Sequence, residues 1–317
     1  MSTLKKVIIT DHLHPYLSEK LTDLGFEVDV QQDITNEELF EIIDQYIGLV
    51  LSTKIKVTPA LIDKATALLF IARAGSGMEN IDVGYATSKD ITVINSPEGN
   101  SNAVAEHAVG CLLSLLNNIS RSDREIRAGI WRREQNRGTE LEGKTVGIIG
   151  FGNTGSAFAA KLRSFDVNIL AHDKYKYGFG NAYVKESDIE EIKEKADIIS
   201  FHLPLTKETF HYLNEGFIAE LKKKFWVINT SRGKVVDTSS LLKGLASGKV
   251  LGAALDVFEN EQFYQLDGDD KAIMKKMCSL ENIILTPHIA GWSHESFYKI
   301  SKILAERIEA LDLSNVK

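Results

Sequence analysis

The chain has 317 residues, of which 44% are hydrophobic and 26% are charged, and its formal net charge at pH 7 is −7. This length suits about two domains, and the composition is ordinary for a soluble globular protein. The negative charge argues against nucleic acid as the main partner. The longest apolar runs are too short to cross a bilayer, and the N-terminus has no secretion-signal pattern, so we expect no membrane partner and a cytoplasmic location.

The first hundred residues alternate predicted strands with predicted helices. Helices are expected to begin near Pro15, Asn36, Pro59 and Asp82, and Thr58 before Pro59 is a favourable N-cap. Five β/α repeats of this kind predict a small doubly wound, flavodoxin-like domain. Apolar runs predict its strands at Val7–Thr10, Phe26–Val30, Gly48–Leu51, Leu69–Ala72 and Ile91–Ile94.

The segment Asn102–Leu116 differs, because its apolar residues recur at three- and four-residue spacing and predict one long helix into a second domain. A polar, arginine-rich connection follows at Arg121–Glu142. The next segment, Lys144–Asp173, predicts a strand, a glycine turn, a helix and a second strand that ends in an acid.

The glycine turn in that segment predicts a dinucleotide site. Gly150, Gly152 and Gly155 follow G-x-G-x-x-G spacing, which permits a tight turn, the approach of a pyrophosphate and close packing of helix on strand. The amides of Asn153 and Thr154 would face the phosphates at the positive end of the helix dipole. Asp173, 18 residues beyond Gly155, can accept the ribose hydroxyls and repels a 2′-phosphate, which favours NAD over NADP.

The rest of the chain continues the β/α alternation and ends in a helix at Glu295–Leu311. We expect this helix to cross back to the first domain. The predicted fold is therefore α/β with two doubly wound parallel-sheet domains: a discontinuous substrate domain at 1–100 plus 288–317, and a Rossmann cofactor domain at 101–287. Further strands of the second domain are predicted at Ile198–Phe201, Trp226–Asn229, Val250–Leu255 and Ile283–Thr286.

Polar side chains follow three strands of the second domain, at the sheet edge where open α/β sheets bind ligands. Arg232 follows the strand ending at Asn229, and Asp256 and Glu261 follow the next strand. His288 comes directly after the last strand, in L-T-P-H-I-A-G-W.

With these residues the chain resembles the NAD-dependent, D-isomer-specific 2-hydroxyacid dehydrogenases over essentially its whole length. The resemblance includes A-R-A-G-S-G-M-E-N-I-D at Ala72–Asp82, N-S-N-A-V-A-E at the start of the long helix, and F-H-L-P-L-T at Phe201–Thr206. It implies that Arg232 binds the substrate carboxylate, that His288 is the acid/base and that Glu261 pairs with it. The chemistry fits, since an imidazolium supplies a proton near neutral pH and a guanidinium matches a carboxylate.

The same resemblance implies the remaining contacts, with the cofactor lying between the domains. Backbone amides at Ala74, Gly75 and Ser76 are expected to help hold the substrate carboxylate. Cofactor contacts are expected from Asn153, Thr154, Asp173, Pro204, Thr230 and Asp256.

Within the family, the chain looks most like the 3-phosphoglycerate dehydrogenases. Arg132, Arg133 and Arg137, reaching across a dimer, and Lys54 and Lys56 are candidate ligands for a substrate phosphate. The chain departs from that pattern at Ser52, near which an arginine is common, and at Gln262, where proline is usual. Since no regulatory domain follows the catalytic core, serine feedback is not expected. A glyoxylate or hydroxypyruvate reductase is the alternative.

A non-enzyme alternative also exists, because the C-terminal-binding protein corepressors share this fold and sense NAD(H). Against that role, the chain has no added peptide-binding segment. An exposed apolar face on the Asn102–Leu116 helix, followed by the arginine arm, is expected to form a homodimer through the cofactor domain. The histidines form no cluster, and Cys111 and Cys278 match no metal spacing, so no metal is predicted.

Overall fold

Contacts in the structure, a computed structural model that describes residues 5–311, divide the chain into two units. Unit 1 comprises residues 5–101 and 292–311, and unit 2 comprises Asn102–Gly291. Residues 1–4 and 312–317, which the predicted substrate domain also includes, lie outside the described residues.

Unit 1 is built on a five-stranded parallel sheet with strand order β2-β1-β3-β4-β5, which is the flavodoxin-like order. The helices between the strands are α1 (Tyr16–Asp23), α2 (Asn36–Ile42), α3 (Pro59–Lys64) and α4 (Val83–Ser88). The strands are β1 (Lys6–Ile9), β2 (Glu27–Val30), β3 (Gly48–Leu51), β4 (Phe70–Arg73) and β5 (Thr92–Asn95).

Local sequence explains these elements. All four residues of β3 are buried and apolar, as expected for a central strand covered on both faces. α3 begins where predicted, because Thr58 caps it by accepting the Leu61 amide and Pro59 occupies its first turn. α2 begins with a capping box between Thr35 and Glu38.

The last helix, α12 (His294–Glu309), belongs to unit 1. Ser293 caps it by accepting the Ser296 amide. Its inward residues Leu304, Ala305 and Ile308 are buried in one apolar cluster with α1 and β1, so α12 covers one face of the sheet.

Unit 2 contains a seven-stranded parallel sheet with order β12-β11-β10-β9-β6-β7-β8. The order reverses beside β6, which makes the sheet doubly wound and creates a switch point where ligands bind in such folds. The strands are β6 (Thr145–Ile149), β7 (Asn168–His172), β8 (Lys185–Glu186), β9 (Ile198–Phe201), β10 (Phe225–Asn229), β11 (Val250–Leu255) and β12 (Ile283–Leu285).

The predicted fold class, two doubly wound parallel sheets, is thereby confirmed. The two-residue strand β8 has no apolar run and was not predicted. The helices of unit 2 are α6 (Ile119–Arg127), α7 (Asn153–Leu162), α8 (Ile189–Lys195), α9 (Glu215–Glu220), α10 (Thr238–Ala246) and α11 (Gly268–Cys278), and α5 (Glu98–Leu116) runs into it from unit 1.

One surface expectation is wrong. The apolar face of α5 is buried in the core of unit 2, where Ala105, Ala108 and Leu112 have no exposed area. The face is covered because it packs against apolar residues of the sheet and of α7. The exposed apolar side chains lie further along the chain, at Ile119, Ile126, Ile130 and Trp131.

Candidate active site

The glycine turn between β6 and α7 is fixed by close backbone contacts. Gly150 has φ +93°, and a Cβ there would lie 2.3 Å from the carbonyl oxygen of His202. A Cβ on Gly155 would lie 2.1 Å from the Gly150 carbonyl oxygen. Glycine is therefore required at both positions for α7 to start directly against β6 and the end of β9.

The N-terminus of α7 is open in a way that fits a pyrophosphate. A Cβ added to Gly152 would meet no atom within 4 Å, and as N-cap this residue has no side chain to satisfy the first helical amides. The amides of Asn153 and Thr154 begin the helix, where amides lack intrahelical partners and the dipole favours an anion. This end of α7 can hold the phosphates of a dinucleotide.

Asp173 lies just beyond β7 and holds the glycine turn in place. Its Oδ2 accepts the Phe151 amide at 2.8 Å, and its Oδ1 accepts the amides of Tyr175 and Lys176 at 2.9 and 3.1 Å. Oδ1 thus accepts two hydrogen bonds and Oδ2 one, so Oδ2 keeps a further lone pair, which is the feature a ribose hydroxyl needs. The sequence pattern located this acid but gave no sign of its bond to the turn.

Two buried polar groups near the switch point have no hydrogen-bond partner among the described residues. They are Oγ1 of Thr230, after β10, and Nδ1 of His202, after β9, whose Nε2 lies 2.9 Å from Ser200 Oγ. Burial lowers the pKa of His202 to about 3, so its ring is neutral. Both atoms are therefore exceptions to the rule that buried polar groups are paired. Pro204 is exposed, and its carbonyl accepts from Thr209 Oγ1 at 2.6 Å.

Asp256 holds the loop after β12. Its side chain is buried, and Oδ1 accepts from Thr286 Oγ1 at 2.6 Å and from the Ile289 amide at 2.9 Å. Oδ2 accepts the Ala290 amide at 2.8 Å, and the Asp256 carbonyl accepts the His288 amide. These bonds explain why residues 288–291 pack with unit 2, although the predicted boundary assigns them to the substrate domain.

His288 and Glu261 are directly paired, with 2.8 Å between Nδ1 and Oε2. Their side chains are 51% and 42% exposed, so the pair is open on one side. His288 has φ +55°, a left-handed conformation that the bonds to Asp256 stabilise.

The pairing has electrostatic consequences for both groups. The hydrogen bond and charge of Glu261, aided by Asp256, raise the pKa of His288 against the opposing effects of burial and of Arg232. Partial burial pushes the pKa of Glu261 upward, but His288, the Phe258 amide and Arg232 together hold it below its usual value. The pair therefore favours an imidazolium beside a carboxylate.

Arg232 occupies a half-buried turn directly after β10. One guanidinium nitrogen, Nη1, donates to the Ser231 carbonyl at 2.7 Å, and the Asn229 side chain donates to the Arg232 carbonyl at 2.9 Å. Its charge lowers the pKa of both Glu261 and His288. Arg232, Glu261 and His288 thus lie at one edge of the unit 2 sheet, as the sequence predicts.

The predicted substrate loop follows β4 in unit 1. The Ala74 amide donates to the Leu51 carbonyl at 2.7 Å, and the Gly75 amide donates to the buried hydroxyl of Ser96 at 3.0 Å. Two of the three amides are therefore engaged within the unit, while Ser76 is exposed. Ser96, which no sequence motif marks, shapes this loop.

Three of the five cations predicted to bind a phosphate, Arg132, Arg137 and Lys54, have protein partners in the structure. Arg132 lies 3.4 Å from the carboxylate of Glu125, and Arg137 lies 2.7 Å from that of Glu134. Lys54 donates to the backbone carbonyl of Gln32.

No group of three or more His, Cys, Asp or Glu residues suited to a metal ion occurs within residues 5–311. In the same part of the chain, no helix is both long and apolar enough to span a membrane.

Comparison with known proteins identifies the family of unit 2. A family model described as "D-isomer specific 2-hydroxyacid dehydrogenase, NAD binding domain" matches residues 109–290. D-lactate dehydrogenase from Aquifex aeolicus, solved with NAD and lactic acid, superposes with a TM-score of 0.81 at 27% identity, covering 96% of this chain and 94% of that one.

Two curated relatives share more sequence with the chain. D-3-phosphoglycerate dehydrogenase from Archaeoglobus fulgidus is 34% identical over 96% of this chain, which spans only 56% of that relative's length. Hydroxypyruvate reductase from Thermotoga maritima is 36% identical, over 94% of this chain and 96% of the relative. The chain thus spans about half the length of the first relative and nearly all of the second.

Proposed function

Because this chain belongs to the D-isomer-specific 2-hydroxyacid dehydrogenases and carries their NAD-binding domain, we propose that it is an NAD-dependent enzyme acting between D-2-hydroxy acids and 2-keto acids. The observation that carries the proposal is the paired His288 and Glu261, 2.8 Å apart, at the same sheet edge as Arg232. The glycine turn, the start of α7 and Asp173 would hold the cofactor, with Pro204, Thr230 and Asp256 as further contacts.

The proposed roles follow from the chemistry of each group. Bound NAD supplies hydride transfer to and from C2 of the substrate. Arg232 binds the substrate carboxylate through its planar fork and fixes the keto carbon in place. His288 in its imidazolium form donates the proton that the developing alkoxide needs, and Glu261 stabilises that charged form. In unit 1, Ser76 and its neighbours Ala74 and Gly75 form the proposed substrate-binding loop.

For the substrate, we propose 3-phosphoglycerate and its keto acid, 3-phosphohydroxypyruvate. Support comes from the relatives of that name, among them the Archaeoglobus protein, which match 96% of this chain. The candidate phosphate ligands are Arg132, Arg133, Arg137, Lys54 and Lys56. Of these, Arg132, Arg137 and Lys54 would have to exchange a protein partner for the phosphate.

A second candidate, reduction of hydroxypyruvate or glyoxylate, is favoured by a specific observation. The Thermotoga hydroxypyruvate reductase is 36% identical over 94% of this chain, and most of the cations proposed for a phosphate already have protein partners. The engaged cations favour this candidate, because an unphosphorylated substrate needs no cation besides Arg232.

Side-by-side assays of NADH oxidation with 3-phosphohydroxypyruvate, hydroxypyruvate, glyoxylate and pyruvate separate these candidates. The lead proposal predicts the highest kcat/KM for the phosphorylated acid. A clear preference for an unphosphorylated acid selects the second candidate. If NADH binds tightly and no 2-keto acid is reduced, the enzyme proposal fails and an NAD(H)-sensing binding role replaces it.

We also propose that unit 2 forms a homodimer. The apolar side chains of Ile119, Ile126, Ile130 and Trp131 are exposed on α6 and the segment after it, and Trp131 is 82% exposed. Exposed apolar groups clustered along a short stretch are typical of protein interfaces. A monomeric mass in sedimentation equilibrium would count against the dimer.

A further inference from the structure

The loop that carries Glu261, residues 256–261, borders a pocket on one side. A cavity of about 220 Å³ lies between this loop, α10 and α11. Its lining includes Phe258 and Glu259 of the loop, Thr238 of α10, and Met274 and Met277 of α11. Because this pocket is open to solvent, the side chains of Phe258 and Glu259 have fewer protein contacts on that side than residues of a close-packed interior, and hydrogen bonds matter more for their position.

Glu259 supplies such interactions through both carboxylate oxygens. Its Oε2 lies 2.7 Å from Nε2 of His211, and its Oε1 accepts the Thr238 amide at 2.8 Å. Thr238 begins α10, so the carboxylate also lies at the positive end of that helix. The carboxylate therefore connects the Glu261 loop to α10 and to the segment that contains His211.

His211 is in turn bound to the segment that follows Arg232. Its amide donates to the Lys234 carbonyl at 2.7 Å, and the Leu213 amide donates to the Val235 carbonyl at 3.0 Å. His211 has φ +50°, a conformation that a non-glycine residue holds only when its surroundings fix it. Its ring is thus presented to Glu259 from a rigid backbone.

The Arg232 turn and the Glu261 loop also touch directly. A Cβ on Gly233 would lie 1.8 Å from the carbonyl oxygen of Phe258, so the two backbones are in contact. Gly233 follows Arg232, and Phe258 donates its amide to Glu261 Oε1 at 3.3 Å. A shift of either segment would therefore change the distance between Arg232 and Glu261.

We propose that His211 and Glu259 are a positioning pair that holds the Glu261 loop against the Arg232 turn and thereby sets how Glu261 meets His288. The inference rests on the proposed function, because Glu261 and His288 are its acid/base pair. Among the described residues, His211 and Glu259 bond to each other and to the Thr238 amide, whereas His288 bonds to Glu261, so both members of the pair would act through Glu261.

Other charged residues lie near the two pairs, His211–Glu259 and Glu261–His288. The test described below substitutes none of them. Asp237 caps α10, and Asp270 accepts a hydrogen bond from Asn260 at 2.7 Å beside the cavity. Arg232 and Asp256 act electrostatically on His288. Substitutions at Glu259 change none of these residues. Because Glu259→Gln removes the same charge as Glu259→Ala, an effect of alanine that glutamine restores reports the loop itself.

The test compares Glu259→Ala, Glu259→Gln and a control, Glu215→Ala, which removes an exposed acid paired with Lys243 at 2.9 Å. The alanine should lower the His288 pKa toward its ordinary value, measured by NMR titration of the imidazole. It should also reduce kcat/KM roughly ten- to a hundred-fold, since small misplacements of a catalytic group are costly. NADH affinity should stay within about two-fold of wild type, because the cofactor residues are untouched.

Glutamine should rescue the alanine defect. Its oxygen can accept the Thr238 amide while its amide group bonds to the His211 ring, so both bonds are remade without the charge. If Glu259→Ala does not fold, His211→Asn serves instead, because asparagine tolerates the left-handed backbone but is too short to reach Glu259.

The outcomes separate this inference from the proposed function. An unchanged His288 titration in Glu259→Ala overturns the inference, as does a variant that loses stability but keeps the wild-type titration and pH profile. The NMR readout needs no turnover, so it decides the inference even if wild type reduces no 2-keto acid. That last result would defeat only the proposed function.

Discussion

Two parts of the carboxyl edge of the unit 2 sheet, named here the cofactor edge and the catalytic edge after their proposed roles, are built by different means. At the cofactor edge, a continuous segment from Gly150 to Asp173 shapes the site through backbone contacts, such as the 2.3 Å that would separate a Gly150 Cβ from a carbonyl oxygen. At the catalytic edge, Arg232, Glu261 and His288 come from the ends of three separate strands. Side-chain bonds hold them, and the His288–Glu261 pair is about half exposed.

The difference shows which part of the site tolerates change. A site shaped by backbone sterics loses its geometry when a single atom is added, whereas a site assembled from side chains loses individual chemical steps while the fold persists. Substitutions at the cofactor edge should therefore change stability and binding together. Those at the catalytic edge should change kinetics alone.

The largest expected effect is on the catalytic edge. Arg232→Lys keeps a positive charge but cannot bind a carboxylate with two parallel hydrogen bonds. We expect kcat/KM for the preferred 2-keto acid to fall about a hundred- to a thousand-fold, with NADH affinity and the unfolding midpoint unchanged. The control is Arg163→Lys, at an arginine that lies over the Tyr183 ring rather than in the site. Near-wild-type kinetics in Arg232→Lys would remove this arginine from the site.

The next largest effect is expected from two glycine substitutions at the cofactor edge, which separate the stability of the fold from the affinity for NADH. Gly150→Ala adds a Cβ in a positive-φ conformation against the His202 carbonyl, so we expect a loss of about 3 kcal/mol in the free energy of unfolding. The matched variant, Gly152→Ala, meets no protein atom within 4 Å and should change stability by less than about 1 kcal/mol.

Binding then distinguishes the two glycines. The methyl group of Gly152→Ala would extend into the space expected for the pyrophosphate, so NADH affinity should fall at least about ten-fold while the protein stays folded. Chemical denaturation and NADH fluorescence titration measure both quantities. If NADH binds Gly152→Ala as tightly as wild type, the phosphates do not approach the backbone at this position.

The same contrast explains how much could be predicted from sequence. The fold class and the glycine turn follow from local signals, namely apolar strands, caps such as Thr58–Pro59 and the G-x-G-x-x-G spacing. The positions of Arg232, Glu261 and His288 were expected through a family resemblance and the rule that strand ends share an edge. Their distances depend on contacts between residues far apart in sequence, which spacing does not encode.

The wrong prediction for α5 and the contacts that were not predicted have physical causes as well. The α5 face was expected to be exposed because amphipathicity shows which residues are apolar, not what covers them. His211 and Glu259 stand 48 positions apart, and each is an ordinary polar loop residue until the structure pairs them. The engagement of the Ala74 and Gly75 amides likewise depends on partners at Leu51 and Ser96, in other strands and loops.

The smallest expected effect, and the sharpest test of the catalytic edge, is the pH dependence of Glu261→Gln. In wild type, the hydrogen bond and charge of Glu261 raise the His288 pKa, so the imidazolium that keto-acid reduction needs persists to higher pH. Glutamine removes that charge and lowers the His288 pKa. The alkaline limb of the reduction profile should therefore move to lower pH.

Hydroxy-acid oxidation provides the opposite check, because it needs the neutral imidazole as base. Its acidic limb should also move to lower pH in Glu261→Gln, so oxidation gains at acidic pH while reduction loses at alkaline pH. Well below the histidine's pKa, reduction should change by no more than about two-fold. Glu215→Gln is the matched control and should leave both limbs in place. A Glu261→Gln profile that merely drops by the same factor at every pH would mean that Glu261 orients His288 without tuning its protonation.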